Sequence, residues 1–170
     1  MLKVVGSLLL LCGCIGAGAL PVRIMDKRIG TIRSLLCSLE IMERELSFHM
    51  PLLEEILSTA AHSTSGPMQR FLSACRKGLV NNLEKPFAEI WSRAAREQLT
   101  AMKKSDLDLI ETLGGVLGRY DCESQRQAIG QVRGHLERLL LDAETERRRQ
   151  GKVYRVLGTA VGSFLVILLL

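Results

Sequence analysis

Two uncharged stretches, one at each end of the chain, constrain its fold more than any other feature. Residues 4–22 and residues 156–170 carry no charged side chain. A helix that crosses a bilayer needs about 20 apolar residues, so the first stretch is long enough and the second is short. We therefore expect an N-terminal transmembrane helix over residues 1–25. Residues 151–170 are expected to form a C-terminal membrane helix that spans the bilayer or enters it partway.

Basic residues flank both stretches on the side that faces the middle of the chain. They are Arg23, Lys27 and Arg28 after the first stretch, and Arg147, Arg148, Arg149, Lys152 and Arg155 before the second. Lys and Arg are retained preferentially on the cytoplasmic side of a membrane, so both clusters indicate the same orientation. The sequence thus predicts a cell-membrane protein whose middle domain, residues 26–150, faces the cytoplasm.

The net charge of +5 comes from these two flanking clusters and not from the middle of the chain. Residues 29–146 contain 14 Lys and Arg against 17 Asp and Glu. A nucleic-acid-binding domain normally carries a basic patch or stripe, so we expect no nucleic-acid partner. The membrane, with its anionic headgroups, is the partner that the basic clusters predict.

The cysteines favour a reduced protein and leave one alternative open. Cys12 and Cys14 fall inside the first apolar stretch, and Cys37, Cys75 and Cys122 are scattered through the middle. This spacing is typical of neither a disulfide framework nor a zinc site. The residues around Cys12 and Cys14 also resemble a bacterial lipoprotein processing site, so an exported lipoprotein stays as an alternative.

The middle of the chain has apolar residues at helical spacing and no alternating pattern of strand length. Six apolar faces are apparent, and they begin at Ile29, Leu52, Met68, Phe87, Leu107 and Ile129. The predicted fold is all-α: a six-helix bundle domain flanked by the two membrane helices. The aromatic residues Phe71, Phe87 and Trp91 are expected in its core, with a partner-facing patch as the alternative.

Local signals place the predicted helix ends. Pro51 and Pro86 suit the first turns of the second and fourth helices. Ser105 with Asp108 resembles a capping box at the start of the fifth helix. The following Gly118 is expected to end that helix.

Two glycine-containing features could bind partners. Gly158 and Gly162 form a GxxxG pair, which allows close contact between helices in lipid. The alternative is that these glycines have no contact role and only lower the hydropathy of the tail. Gly118, Asp121 and Gln125 lie in one predicted turn, where Asp121 can cap the sixth helix. That turn is either a tight helix–helix connection or a contact site for a partner.

The sequence shows no residues to which a catalytic, cofactor-binding or metal-binding role can be assigned. His49, His62 and His135 are far apart, and none lies in a known metal-ligand pattern. The glycines near position 114 are not followed by the Lys-Ser or Lys-Thr of a phosphate-binding loop. We expect a non-enzymatic protein without a cofactor or a metal.

Several segments together resemble a known family. They are Met50–Leu57, Phe87–Trp91, Leu113–Gly118, Asp121 with Gln125, and Gly151–Gly158 running into a leucine-rich tail. In order and spacing, these segments are similar to stage III sporulation protein AB of endospore-forming bacteria. The resemblance covers nearly the whole chain.

The resemblance implies a soluble domain similar to the cytoplasmic helical domain of type II secretion protein F. It implies a scaffold in a channel complex between mother cell and forespore, located in the mother-cell membrane and required for sporulation. The implied partners are other stage III sporulation channel proteins, including a secretion-type ATPase that docks on the scaffold. A homo-oligomer is compatible with this assembly. A membrane-tethered adaptor or signalling protein unrelated to a channel is the alternative.

Overall fold

The computed structural model of the chain contains six helices and no strand among the residues that it describes. Its backbone is described for residues 2–48, 52–81, 84–119 and 121–169. Within the helices, the side chains of residues 2–12, 14–18, 48, 155, 158, 168 and 169 lie outside the description. The helices are α1 (Leu2–Phe48), α2 (Leu53–His62), α3 (Gly66–Asn81), α4 (Phe87–Gln98), α5 (Lys104–Gly114) and α6 (Cys122–Leu169). The predicted all-α class and the number of six helices are confirmed.

Each uncharged terminal stretch is part of a longer helix. The first stretch belongs to α1, and the second belongs to α6. α1 runs through the predicted end of the first membrane segment and contains Pro21 without a break. α6 likewise extends from Cys122 to Leu169 as one helix of 48 residues. Each predicted terminal segment thus forms one continuous helix with the neighbouring helix of the middle domain.

Across the described residues, no helix combines the length and the apolar character that crossing a membrane requires. This part of the chain therefore does not support the two predicted membrane helices. Most side chains of the first apolar stretch lie outside the described residues. The second stretch is shorter than the roughly 20 residues of a spanning helix.

The chain divides into two compact units. The bundle unit is Gly30–Leu140, which contains α2 to α5 entire. The terminal unit combines Met1–Ile29 with Leu141–Leu170.

The core of the bundle unit is built around Trp91, whose side chain is fully buried. Its indole Nε1–H donates a hydrogen bond to the Ile110 carbonyl oxygen at 2.8 Å, so the one polar atom of the ring is satisfied. The ring of Phe71, also fully buried, meets it edge to face with centroids 4.6 Å apart. The ring centroid of Phe87 lies 5.7 Å from that of Trp91, and Phe87 is half-buried. The prediction that these aromatics pack in the core is correct.

Two further contacts tie neighbouring helices of this unit together. Arg96 of α4 forms a two-pronged ion pair with Glu111 of α5, and both hydrogen bonds are 2.7 Å long. These hydrogen bonds lower the pKa of the Glu111 carboxyl. Arg133 of α6 pairs with Glu43 of α1. Planar guanidinium–carboxylate pairs fix relative orientation, so they hold α4 on α5 and α6 on α1 within the bundle unit.

The ends of α5 differ from those expected from the sequence. Its N-terminal carboxylate cap is Asp106, which accepts a hydrogen bond from the Lys103 backbone N–H at 3.2 Å. The Ser105–Asp108 capping box was therefore misplaced by two residues, because Asp106 faces inward and is 1% exposed. The helix ends at Gly114, four residues before Gly118. Pro51, the predicted start of α2, lies outside the described residues.

Candidate functional site

The turn between α5 and α6 brings together the three predicted residues Gly118, Asp121 and Gln125. The Gly118 backbone N–H donates to the Gln125 side-chain Oε1 at 3.1 Å. An Asp121 side-chain oxygen accepts from the Ser124 backbone N–H at 3.3 Å. Asp121 therefore has the hydrogen bond of an N-cap residue at the start of α6. Gln125 is buried, so its amide holds the turn against the helix from inside.

Gly118 also brings the backbone close to α2. Its φ of +76° lies in the left-handed region, which residues with a Cβ adopt only at a cost. A Cβ atom added to Gly118 would lie 2.9 Å from Leu53 Cδ2. The left-handed conformation therefore favours glycine at this position, whereas the methyl group of Leu53 can shift to accommodate a Cβ atom.

A groove of about 580 Å³ opens beside this turn. Four helices and the turn line it, through Leu46, Leu53, Ile56, Leu79, Cys122 and Gln125 together with Leu52, Val80, Glu54 and Gly118. Leu52 is 72% exposed and Val80 is 50% exposed. Among the described residues of the bundle unit, these are the only large apolar side chains that are strongly exposed, and both line the groove. Exposed apolar surface gathered in one concave place is typical of a contact site for a partner.

The charges at the edge of the groove are paired. Glu54 forms an ion pair with Arg76 of α3, with 3.2 Å between Glu54 Oε1 and Arg76 Nη2. Glu55 accepts a hydrogen bond from the Leu52 backbone N–H at 3.3 Å. The lining is thus mainly apolar with ionic contacts at its edge. This arrangement suits an apolar side chain or a short amphipathic segment of another protein.

Neither metal binding nor thiol chemistry is indicated in the part of the chain that the structure describes. It holds no group of three or more His, Cys, Asp or Glu side chains that could bind a metal ion. Burial raises the pKa of the Cys75 thiol well above its usual value, which keeps the thiol protonated and unreactive. Cys122 is half-buried at the groove.

The predicted membrane-flanking residues lie in the terminal unit. Arg147 forms a two-pronged pair with Asp26, with distances of 2.8 and 3.3 Å. Arg28 Nη1 lies 3.8 Å from Glu146 Oε2. The other described members are exposed: Arg23, Lys27, Arg148, Arg149 and Lys152.

The three remaining predicted residues, Arg155, Gly158 and Gly162, lie in the C-terminal part of α6. Gly162 is buried. The surroundings of Arg155 and Gly158 lie outside the described residues. The proposed contact between membrane helices at Gly158 and Gly162 stays a prediction.

Sequence reasoning identified the turn but missed the groove next to it. Leu52 immediately precedes α2 and Val80 lies in the last turn of α3, and each alone is an ordinary apolar residue at a helix end. Sequence periodicity reports one helix at a time, so it contains no signal that the two side chains line one cavity.

Comparisons with known proteins converge on one family. The profile of the stage III sporulation protein AB family matches residues 3–170. Stage III sporulation protein AB of Bacillus subtilis (strain 168) is 27% identical over 177 residues, covering 100% of both chains. A solved structure titled stage III sporulation protein AB superimposes with a TM-score of 0.63 at 25% identity, covering 72% of this chain and 98% of its own. Because the family profile spans nearly every residue, this chain belongs to the stage III sporulation protein AB family.

Proposed function

We propose that this chain is a non-enzymatic scaffold of a secretion-like channel complex between mother cell and forespore. In this role it is attached to the mother-cell membrane and required for sporulation. Membership of the sporulation family supports the biological setting. The observation that carries the scaffold role is the apolar groove of the bundle unit, which is lined by Leu52 and Val80, the two strongly exposed large apolar side chains among the unit's described residues.

The proposed membrane attachment is supported by the distribution of charge and apolar residues along the sequence. The uncharged residues 4–22 and 156–170 lie outside two basic clusters, and the residues between those clusters are net acidic. Basic residues on the inner side of both stretches favour one topology, with the bundle unit in the cytoplasm. A cytoplasmic bundle unit presents its groove to cytoplasmic proteins.

The partner that we propose for the groove is a secretion-type ATPase. The resemblance to the platform proteins of secretion systems supports this choice, because such a platform is the natural docking point for a cytoplasmic motor. An apolar anchor of the ATPase would enter between Leu52 and Val80, which are exposed without a covering element among the described residues. Apolar anchors that fill pockets dominate the energetics of such contacts.

The proposed orientation predicts that thiols of the bundle unit are inaccessible from outside the cell. Cys37 is exposed in the bundle unit, whereas Cys75 is buried with a raised pKa and should not react in the folded protein. A full-length variant with Cys12→Ala, Cys14→Ala and Cys122→Ser therefore has Cys37 as its reactive thiol. In intact protoplasts, we expect a membrane-impermeant maleimide to label it less than a tenth as much as after lysis.

Two further variants make this labelling experiment decisive. Cys37→Ser in the same background should abolish labelling after lysis, which shows that Cys75 does not contribute. Adding Lys104→Cys to that background provides a second exposed reporter on α5. Equal labelling of either reporter before and after lysis would place the bundle unit outside the cell and favour the exported lipoprotein.

A further inference from the structure

The two helical segments of the terminal unit run antiparallel in a fixed register. Asp26 of α1 pairs with Arg147 of α6. One turn earlier on α1, Val22 approaches Gly151, where an added Cβ atom would lie 3.7 Å from Val22 Cγ2. The contact residue on α1 is thus four positions earlier, at Val22, when the contact residue on α6 is four positions later, at Gly151. These two contacts show which parts of the two helices lie at the same level.

Four exposed basic residues lie between Val22 and Asp26 on α1 or from Arg148 to Lys152 on α6, and we call them the basic band: Arg23, Arg148, Arg149 and Lys152. Lys27 is also exposed, one residue beyond Asp26 on the side away from Val22. Arg23 lies between Val22 and Asp26 on α1, and the other three lie within one residue of the span from Arg147 to Gly151 on α6. At about 1.5 Å of rise per residue, positions 148 to 152 extend over only about 6 Å. The band therefore concentrates positive charge in a thin layer of the terminal unit.

The basic band is separate from the ion pairs that join the two helices. The guanidinium of Arg147 is held by Asp26 through two hydrogen bonds, and Arg28 lies against Glu146. Those contacts fix how α6 is rotated against α1. As a result, the neighbouring Arg148 and Arg149 are left exposed.

Most of the exposed large apolar side chains of the terminal unit lie directly beyond the basic band, although Ile24 lies within it and Leu141 lies on its other side. On α6 they are Val153, Val156, Leu157, Val161, Phe164 and Ile167, each between 48% and 75% exposed. On α1, Leu20 is 58% exposed and lies beyond the Val22 level in the same direction. A layer of Lys and Arg bordering an apolar surface matches the boundary of a bilayer, where phosphates lie next to acyl chains.

We propose that the basic band is a binding site for the phosphate headgroups of anionic phospholipids. The proposal rests on the membrane attachment proposed above and adds the chemical class of lipid. Charge complementarity favours lipids with a net negative headgroup over zwitterionic ones, because each Lys or Arg near an anionic surface contributes attraction that salt screens. The adjacent apolar side chains favour a lipid phosphate over a phosphate free in solution.

The test uses the full-length protein reconstituted in phosphatidylcholine bilayers containing trace spin-labelled phosphatidylglycerol or phosphatidylcholine. Electron paramagnetic resonance then gives the association of each lipid with the protein. We expect phosphatidylglycerol to associate at least about threefold more strongly at low salt, given attraction on the order of that reported for surface Lys and Arg. The preference should approach unity in high salt and in the variant Arg148→Gln with Arg149→Gln and Lys152→Gln.

The matched control removes the same charge from the bundle unit. Lys77→Gln with Arg93→Gln and Lys104→Gln also replaces three exposed basic residues, and this variant should keep the full preference. Equal loss in both triple variants would overturn the basic band as the site. A further control adds inorganic phosphate, or chloride at the same ionic strength, to the reconstituted protein. If phosphate abolished the preference for phosphatidylglycerol and chloride did not, the choice of a lipid over free phosphate would be overturned.

The outcomes also separate this proposal from the proposed function. A protein that inserts in the bilayer but shows no preference between the two lipids would overturn the basic band alone. A protein that associates with neither lipid would overturn the membrane attachment, and the lipid site with it.

Discussion

Replacing Gly114 with alanine is expected to lower the free energy of unfolding by about 3 kcal/mol, at the upper end of the range for overpacking a core. The added Cβ atom would lie 2.5 Å from Trp91 Cδ1, 2.7 Å from its Cγ and 2.9 Å from its Cβ. The indole cannot easily move aside. It is fully buried, packed against Phe71 and hydrogen-bonded to the Ile110 carbonyl.

Gly130→Ala is the matched control and should have the opposite sign. Gly130 also lies in a helix, but an added Cβ atom there would have no atom within 4 Å outside its own helix. Alanine is favoured over glycine inside a helix, so the free energy of unfolding should rise by about 0.5–1 kcal/mol.

Urea unfolding of the full-length variants, followed by fluorescence, measures both changes. Trp91 is the sole tryptophan of the chain, so the emission reports on the core directly. Similar midpoints for Gly114→Ala and Gly130→Ala would contradict the close packing of α5 against Trp91.

Charged side chains in the groove should prevent sporulation while leaving the bundle folded. Leu52→Asp places a carboxylate at the residue preceding α2, where Asp is a favoured N-cap. Val80→Lys places a cation in the last turn of α3, where it complements the helix dipole. Each substitution thus suits its own helix and disrupts only an apolar partner.

The expected loss of function is large because a partner would have to bury an unpaired charge. Such a charge costs about 2–5 kcal/mol in an interface, which weakens binding at least about 30-fold. We expect each variant, as the sole copy in the sporulating host, to reduce heat-resistant spores severely at normal protein level. Leu141→Lys is the control, since Leu141 is 63% exposed but does not line the groove. Normal spore counts in both groove variants would contradict a functional groove.

The features that could be predicted from the sequence are those encoded by near neighbours. The apolar face from Ile29 to Leu46 and the cap at Asp121 depend on residues within a few turns of one helix, and the structure has both. Helix periodicity and capping are local properties, which explains why the fold class could be predicted from the pattern.

The features that were missed depend on contacts between helices. The sequence pattern favoured Asp108 as the capping carboxylate of α5, whereas packing buries Asp106 and gives it that role. In the sequence, Gly114 is one member of a glycine cluster. In the structure, its lack of a Cβ atom leaves the space that the Trp91 side chain of α4 occupies. The groove likewise arises only when α1, α2, α3 and α6 are packed together, which no single-helix pattern encodes.

Photo-crosslinking from the groove in sporulating cells tests most directly whether this chain is a docking scaffold. A benzophenone amino acid in place of Val80 positions the reactive group inside the groove, and the same amino acid in place of Leu141 serves as the control. We expect the amino acid at position 80 to yield a crosslinked species that contains the secretion-type ATPase, and the amino acid at position 141 to yield none. The docking scaffold would be contradicted if position 80 gave no crosslink to the ATPase in cells that contain both proteins and form spores normally.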